Sequence, residues 1–142
     1  MSYSNSKTNP IIIDIALLIV RLFVGFAMLS HGYPKLQMLL EGGDIKFYDF
    51  LGLGSTVTLI LVVFAEFVCS IFLILGLFTR IAVGFLMFTM IIAGFVVHGA
   101  DPFEKREMSF LYLGIYLLLI TFGAGRISID GMIEKRRRAS DW

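Results

Sequence analysis

The chain has 142 residues, of which 58% are apolar and 16% are charged, and its net charge is +1, with a mean hydropathy of +0.87. Soluble domains carry about 25% charged residues, so this balance is typical of an integral membrane protein. The near-neutral net charge gives no reason to expect a nucleic-acid partner. The single cysteine, Cys69, excludes a disulfide or a dithiol pair within the chain.

Four apolar segments are long enough to cross a bilayer as helices, since roughly 20 residues span its hydrocarbon core. Nine polar residues precede the first segment, and Pro10 suits the first turn of a helix. Pro34 and the glycine-rich residues 41–55 are predicted to connect the first two helices. The predicted spans are about 11–31, 56–77, 81–97 and 108–123, followed by a basic tail at 124–142. The predicted fold class is therefore all-α, an integral membrane four-helix bundle in a single domain.

Four spans place both termini on one side of the membrane. That side carries more basic residues than the other side, and these are Lys7, Arg80, Arg126, Lys135, Arg136, Arg137 and Arg138. Because positively charged loops remain in the cytoplasm, we expect a multi-pass protein of the cytoplasmic membrane with both termini inside. The loops at 32–55 and 99–107 are then outside. The basic tail is predicted either to stay in solvent or to form a short amphipathic turn against anionic headgroups.

Two charged residues interrupt the apolar spans. Arg21 lies about ten residues into the first helix, and Glu66 lies about ten residues into the second, so both are predicted near mid-depth. An Arg at the centre of a span costs roughly 2.5–3.5 kcal/mol on insertion scales, which predicts that it faces protein or a counter-charge. An ion pair between Arg21 and Glu66 satisfies both groups. The pair either fixes the helix register or forms part of a ligand site.

Glycines share helix faces with the polar residues. In the first helix, Gly25 and Gly32 fall on the face of Arg21 at helical spacing. In the third helix, Gly94 lies four residues, or about one helical turn, before His98. Small residues let neighbouring helices approach closely. We therefore predict that both faces point into the bundle and that the glycines leave space there.

A second polar layer is predicted at the outer ends of the helices. His31 and Lys35 end the first helix, His98 ends the third, and Tyr112 belongs to the fourth. The two histidines are the only ones in the chain and lie at matching depth, which favours a ligand site, whereas Lys35 is also explained as an ordinary residue of the membrane boundary. Paired histidines are haem or metal ligands in other proteins, but such pairs are common, and no metal or haem is predicted here.

Several short motifs together resemble the DoxX family of small four-helix membrane proteins. They are R-L-x-x-G at 21–25, H-G-Y-P-K at 31–35, Glu66, G-L-F-T-R at 76–80, H-G at 98–99 and G-A-G-R-I-S-I-D at 123–130. The resemblance implies functional polar positions at Arg21, His31, Lys35, Glu66, Arg80 and His98, of which Arg80 is expected to act structurally. Family members are similar to subunits of a thiosulfate:quinone oxidoreductase and to a membrane component of a thiol-redox complex.

The resulting hypothesis is a component of a membrane oxidoreductase that binds a lipid-soluble redox ligand, with a quinone as the ligand class. A redox protein partner or a homo-oligomer is expected in the bilayer. The alternatives are a non-enzymatic scaffold for a partner subunit and a carrier of a small molecule or a proton. The ligand head is predicted near His31, His98 and Arg21. Its tail is predicted to run along side chains of the first, third and fourth helices, namely Met28, Met87, Ile91 and Tyr112.

Overall fold

The computed structural model describes residues 9–140. Within that range the chain is helical and contains no β-strand, which confirms the predicted all-α class. The helices are α1 (Pro10–Glu41), α2 (Ser55–Leu75), α3 (Thr79–Val97), α4 (Phe103–Phe122) and α5 (Ile129–Ser140). The polar N-terminal stretch with Lys7 and the last two residues of the basic tail lie outside the described residues.

Helices α1 to α4 form an integral membrane bundle. Three of them, α1, α2 and α3, are long and apolar enough to cross a membrane. Helix α4 has 20 residues but begins with the largely charged sequence F-E-K-R-E. That it crosses the membrane remains a prediction. It packs against α3 and also contacts α1, which closes the bundle. Large apolar side chains such as Phe23, Phe88 and Leu118 are exposed around the outside, as expected for surfaces that lipid covers.

The core of the bundle contains both aliphatic and aromatic side chains. All four helices contribute to it, with Val24, Met28, Cys69, Leu73, Val83, Leu86, Met90, Tyr112, Tyr116 and Leu119 fully or almost fully buried. Met87 and Ile91 were predicted on the inward face of α3, but Ile91 is exposed and Met87 is only partly buried. The reason is that α3 is apolar on all sides, so its hydrophobic pattern does not define which face meets α4.

Helix α1 continues about ten residues beyond its predicted end. Pro34 lies inside it, and the helix ends only at Glu41, where Gly42 has a φ of 66°. A proline removes one amide donor and leaves the carbonyl four residues earlier, that of Ser30, without its usual helical partner. Here the helix tolerates this loss and remains continuous. As a result, Lys35 is a helical residue whose side chain reaches α2, and the connection to α2 is confined to residues 42–54.

Two of the spanning helices contain a π-helical turn. The turn in α2 covers Phe64–Val68 and the turn in α3 covers Ile92–Val97. A π turn carries one extra residue and rotates the following residues around the helix axis, and such turns are frequent at functional sites. Glu66 lies in the first of these turns, and His98 directly follows the second. The π turns therefore set the direction of two of the predicted site residues.

Candidate functional site: a cavity between α2 and α3

Glu66 forms an ion pair with Lys35. The Glu66 residue is 4% exposed, and its two carboxylate oxygens accept hydrogen bonds from Lys35 Nζ at 2.6 and 2.5 Å. The Lys35 side chain is 29% exposed, so it reaches the carboxylate from the edge of the bundle. Gly32, one turn earlier in α1, makes the approach possible, because a Cβ there would lie 2.8 Å from the carbonyl carbon of Glu66.

Arg21 does not pair with Glu66, and that prediction was wrong. The Arg21 residue is 2% exposed and donates hydrogen bonds from Nη1 to the carbonyl of Ala124 at 2.5 Å and from Nη2 to the carbonyl of Ile127 at 3.0 Å. Both carbonyls belong to the loop between α4 and α5. Because α1 continues to Glu41, Arg21 lies in the first half of the helix and not at mid-depth.

A cavity of about 420 Å³ lies between α2, α3 and the loop of residues 42–54. Most of its lining is apolar or aromatic, including Phe47, Phe50, Phe64, Phe85, Phe88 and Ile92. Its polar lining consists of Lys35, Glu66, His98, Tyr48 and two threonines. Two ring pairs meet edge to face at this site, Phe64 with Phe85 at 5.3 Å and Phe50 with Phe88 at 6.5 Å between ring centroids. The volume falls in the range of small-molecule sites.

The cavity reaches the outer surface of the bundle. Phe64, Phe85 and Phe88 line it and are also exposed on the lipid-facing side of α2 and α3. A molecule dissolved in the bilayer therefore has an apolar route into the cavity between the two helices. The Lys35–Glu66 pair and His98 supply the charged and hydrogen-bonding groups of the lining.

His98 is held by a carboxylate outside the membrane span. Its Nδ1 lies 2.8 Å from Oδ2 of Asp101 in the loop before α4. This hydrogen bond lowers the pKa of the Asp101 carboxyl group below its usual value, with smaller contributions from Lys105 and Arg106. When Asp101 is ionised, Nδ1 carries the proton it donates, which leaves Nε2 of His98 free for another partner.

The structure does not bring His31 to the same site. His31 is exposed, and its ring contacts the edge of Tyr112 at a centroid distance of 6.1 Å. Tyr112 is buried and stacks on Tyr116, and Met28 is a core residue. The predicted grouping of His31, His98 and Arg21 is therefore not formed, because core side chains fill that part of the bundle and Arg21 contacts the loop between α4 and α5.

The three predicted glycines lie against neighbouring helices rather than beside an open space. A Cβ on Gly25 would lie 2.6 Å from Cγ1 of Ile74, and a Cβ on Gly94 would lie 3.3 Å from Cβ of Ser109. Gly32 lies against the backbone of Glu66, as described above. Their predicted inward position and the close helix approach are confirmed, whereas the expectation that they leave room for a ligand was wrong. Arg80 is exposed, close to Gly123 at the end of α4.

Sequence reasoning missed an ion pair between the first helix and the segment after α4. Oδ2 of Asp14 accepts a hydrogen bond from Nε of Arg126 at 2.6 Å, and Oδ1 accepts one from the backbone amide of Arg126 at 2.9 Å. Asp14 is buried although it lies near the start of an apolar span. An acidic residue in that position was the available signal, but the sequence alone does not identify its partner 112 residues later.

The motifs at 76–80 and 123–130 contact each other, which the sequence also did not reveal. The carboxylate of Asp130 accepts hydrogen bonds from the backbone amides of Phe78 and Thr79, both at 2.8 Å. The amide of Asp130 donates to the carbonyl of Gly76 at 2.9 Å. Gly76 has a φ of 67°, and a Cβ there would lie 2.8 Å from Cζ of Arg21. Asp130 therefore caps the start of α3, and Gly76 is required beside the guanidinium.

These features define a multi-pass helical membrane protein with a ligand-sized cavity between two of its spanning helices. The family model of DoxX matches residues 16–99, which is more than half of the chain. The chain therefore belongs to the DoxX family. The matched region contains Arg21, Lys35, Glu66 and His98. No curated protein and no solved structure matches the chain.

Proposed function

We propose that this DoxX-family protein is the membrane component of a quinone-linked oxidoreductase and that the ligand binds in the cavity between α2 and α3. The observation that carries the proposal is the cavity of about 420 Å³, which combines aromatic walls with the side chains of Lys35, Glu66 and His98. Ligand sites typically join apolar walls to a few polar groups that orient the ligand. The route from the lipid-facing surface supports a ligand that is soluble in the bilayer.

The walls of the cavity suit a flat ring. Phe50, Phe64, Phe85 and Phe88 line it, and aromatic rings favour stacked or edge-to-face contact with other rings. The aliphatic side chains of Leu61 and Ile92 also line the cavity. A quinone ring with an apolar tail therefore finds contacts along the whole lining, with the tail extending past Phe64 and Phe85 into lipid.

The polar groups of the lining suit the oxygen atoms of a quinone. A lysine ammonium has three N–H donors, and Glu66 accepts two hydrogen bonds from Lys35, so one donor remains for a quinone oxygen. Reduction of a quinone to a quinol adds two electrons and two protons. Imidazole exchanges protons readily near neutral pH, and His98 contacts Asp101 on the aqueous side. We assign His98 the role of exchanging protons with the ligand.

The electron donor is assigned to a partner protein. Among residues 9–140, no group of three or more His, Cys, Asp or Glu side chains is placed to hold a metal ion. The single thiol, Cys69, is buried in the bundle core. We therefore propose that a redox protein on the membrane surface delivers electrons to the bound quinone. With both termini in the cytoplasm, the loop of residues 42–54, which borders the cavity, lies on the outer side.

The test is the quinone content of the purified protein. The full chain is purified in mild detergent, incubated with decylubiquinone, washed and extracted with organic solvent, and the quinone is measured by mass spectrometry. Ala93→Leu adds bulk to the lining of the cavity, whereas Ala16→Leu adds the same bulk to an exposed position on α1. We expect the parent chain and Ala16→Leu to retain quinone and Ala93→Leu to lose most of it.

Two results would overturn the proposal. The first is a parent protein that retains no more quinone than an unrelated helical membrane protein treated in the same way. The second is equal retention by Ala93→Leu and Ala16→Leu. A quinone-free protein that co-purifies with a stable partner supports the scaffold alternative instead.

A further inference from the structure

Helix α5 lies outside the bundle but begins at its surface. None of its residues, Ile129–Ser140, is buried. Its start is attached to the turn between α2 and α3 by the hydrogen bonds of Asp130 to Gly76, Phe78 and Thr79. Because α2 and α3 are long and apolar enough to cross the membrane, this turn marks a membrane surface. Helix α5 therefore starts at the level of the lipid headgroups.

The helix has an apolar face that nothing in the described chain covers. Ile129, Met132 and Ile133 share one face at helical spacing, and Met132 and Ile133 are 58% and 47% exposed. Two further apolar side chains near the start of α5 are exposed. Ile127 lies in the loop that precedes α5, and Phe78 lies in the α2–α3 turn to which α5 is attached. An exposed apolar face on a charged helix is typical of helices that lie in the membrane interface.

The remaining surface of α5 is basic. Four consecutive exposed residues are basic, namely Lys135, Arg136, Arg137 and Arg138. The helix also contains two acidic residues, so its net charge is +2. Helical geometry places Lys135 and Arg137 on the two flanks of the apolar face, and Arg136 ends that face one turn after Met132. Long basic side chains in this position extend their charge to the headgroup level while their stems cover apolar surface.

A crevice of about 360 Å³ lies between α5 and the α2–α3 turn. It is lined by Phe78, Ile133, Arg137 and Arg138, together with the acidic residues Asp130 and Glu134. Asp130 is engaged by backbone amides and Glu134 by Arg138. Within residues 9–140, no hydrogen bond or ion pair engages the Arg137 side chain, so its guanidinium is available for a phosphate, which it matches in geometry.

We propose that α5 binds anionic phospholipid, with Met132 and Ile133 inserted among the acyl chains and Arg137 on the headgroup phosphate in the crevice. The positive net charge of α5 favours an anionic lipid. The attachment of α5 at the membrane surface favours a lipid rather than a soluble acidic protein as the partner. This inference does not depend on the ligand of the α2–α3 cavity. It assigns a binding role to the part of the chain that follows the residues matched by the family model.

The experiment uses the full chain in nanodiscs of phosphatidylcholine alone or of an equal mixture with phosphatidylglycerol. An environment-sensitive fluorophore is attached to Met132→Cys in a Cys69→Ala background, and its quenching by an aqueous quencher is measured. We expect protection in the anionic nanodiscs. Neutralising Lys135 and Arg137 to Gln should remove it, whereas neutralising the exposed Lys46 and Lys105, at the other end of the bundle, should not.

Lipid selectivity is measured on the same variants by native mass spectrometry, as the ratio of retained phosphatidylglycerol to phosphatidylcholine. A basic residue near an anionic membrane contributes about 1 kcal/mol, so each removed charge should lower the ratio about fivefold. Equal quenching in both nanodiscs, or an unchanged ratio in the Lys135→Gln/Arg137→Gln variant, would overturn the proposal. So would inorganic phosphate at millimolar concentration displacing the lipid, because the site would then recognise a soluble anion.

Discussion

Nζ of Lys35 in α1 lies 2.6 and 2.5 Å from the two carboxylate oxygens of Glu66 in the π turn of α2. This contact joins the two helices and also lines the cavity. A carboxylate in an apolar bundle is costly unless a cation compensates it. The pair therefore fulfils a structural requirement and places an ammonium group where a ligand can reach it.

Removing either partner of this pair should destabilise the protein to different extents. Lys35→Met leaves the buried Glu66 carboxylate unpaired and should cost about 3–5 kcal/mol, whereas Glu66→Gln leaves the partly exposed ammonium and should cost about 1–3 kcal/mol. The buried Cys69 thiol allows unfolding to be followed with a thiol-reactive fluorogenic dye in detergent. The double variant Lys35→Met/Glu66→Leu should recover most of the stability. Harmless single substitutions would contradict the pairing.

The close contact of α1 with α2 is tested at Gly32. In Gly32→Ala the new Cβ would lie 2.8–2.9 Å from backbone atoms of Glu66 and Phe67, so the helices must separate, at a cost of about 1–3 kcal/mol. Gly114→Ala is the matched control, because no atom beyond its chain neighbours and the nearby backbone of its own helix would lie within 4 Å of the new Cβ. That change should be neutral or stabilising by up to about 1 kcal/mol, since alanine favours helix. Thermal unfolding of the two variants in one detergent measures the difference, and equal midpoints would contradict the contact.

Asp130 is expected to stabilise the start of α3. Helix α3 has no side-chain cap from its own N-terminal residue, Phe78, and the Asp130 carboxylate takes that role from 51 residues away. Asp130→Ala should lower the stability by about 1–2 kcal/mol, which is typical for the loss of a helix cap. Asp44→Ala, in the exposed loop before α2, should have little effect. Hydrogen exchange of the amides of Phe78 and Thr79 provides the local measurement, and unchanged exchange would exclude the capping role.

The amino-acid sequence is sufficient to predict the helical class, the membrane location and the general positions of the four bundle helices. Their apolar length determines these features, and no long-range contact is needed to recognise it. The polar residues that line the cavity, Lys35, Glu66 and His98, were also recognisable as unusual, because charged and imidazole groups in or near a span require a partner.

The partners of these residues could not be predicted, for two physical reasons. A span of about 11–31 predicts Arg21 near mid-depth, whereas α1 runs from Pro10 to Glu41 and Arg21 contacts the loop between α4 and α5. In addition, π turns rotate Glu66 and His98 relative to their positions in a regular helix. No residue pattern in α2 or α3 predicts these π turns.

The predicted membrane orientation rests on the distribution of basic residues and is tested by labelling. Single cysteines introduced in residues 42–54 or at 102–106, in a Cys69→Ala background, should react with an impermeant maleimide added to intact cells. Cysteines introduced at 135–140 should react only after the membrane is permeabilised. The reverse pattern would place the loop of residues 42–54 and the His98–Asp101 pair on the cytoplasmic side and would reverse the proposed direction of proton exchange.

The most direct measurement of the central claim is photo-crosslinking of an azidoquinone to the protein in its native membrane, followed by peptide mapping. The account predicts adducts on the residues of α2 and α3 that line the cavity, between Thr58 and Glu66 and between Phe85 and His98. It also predicts that excess unlabelled quinone suppresses these adducts and that Ala93→Leu reduces them more than Ala16→Leu does. Adducts distributed evenly over the lipid-facing side chains, or concentrated at Met28 and Tyr112 and unaffected by competition, would contradict the account.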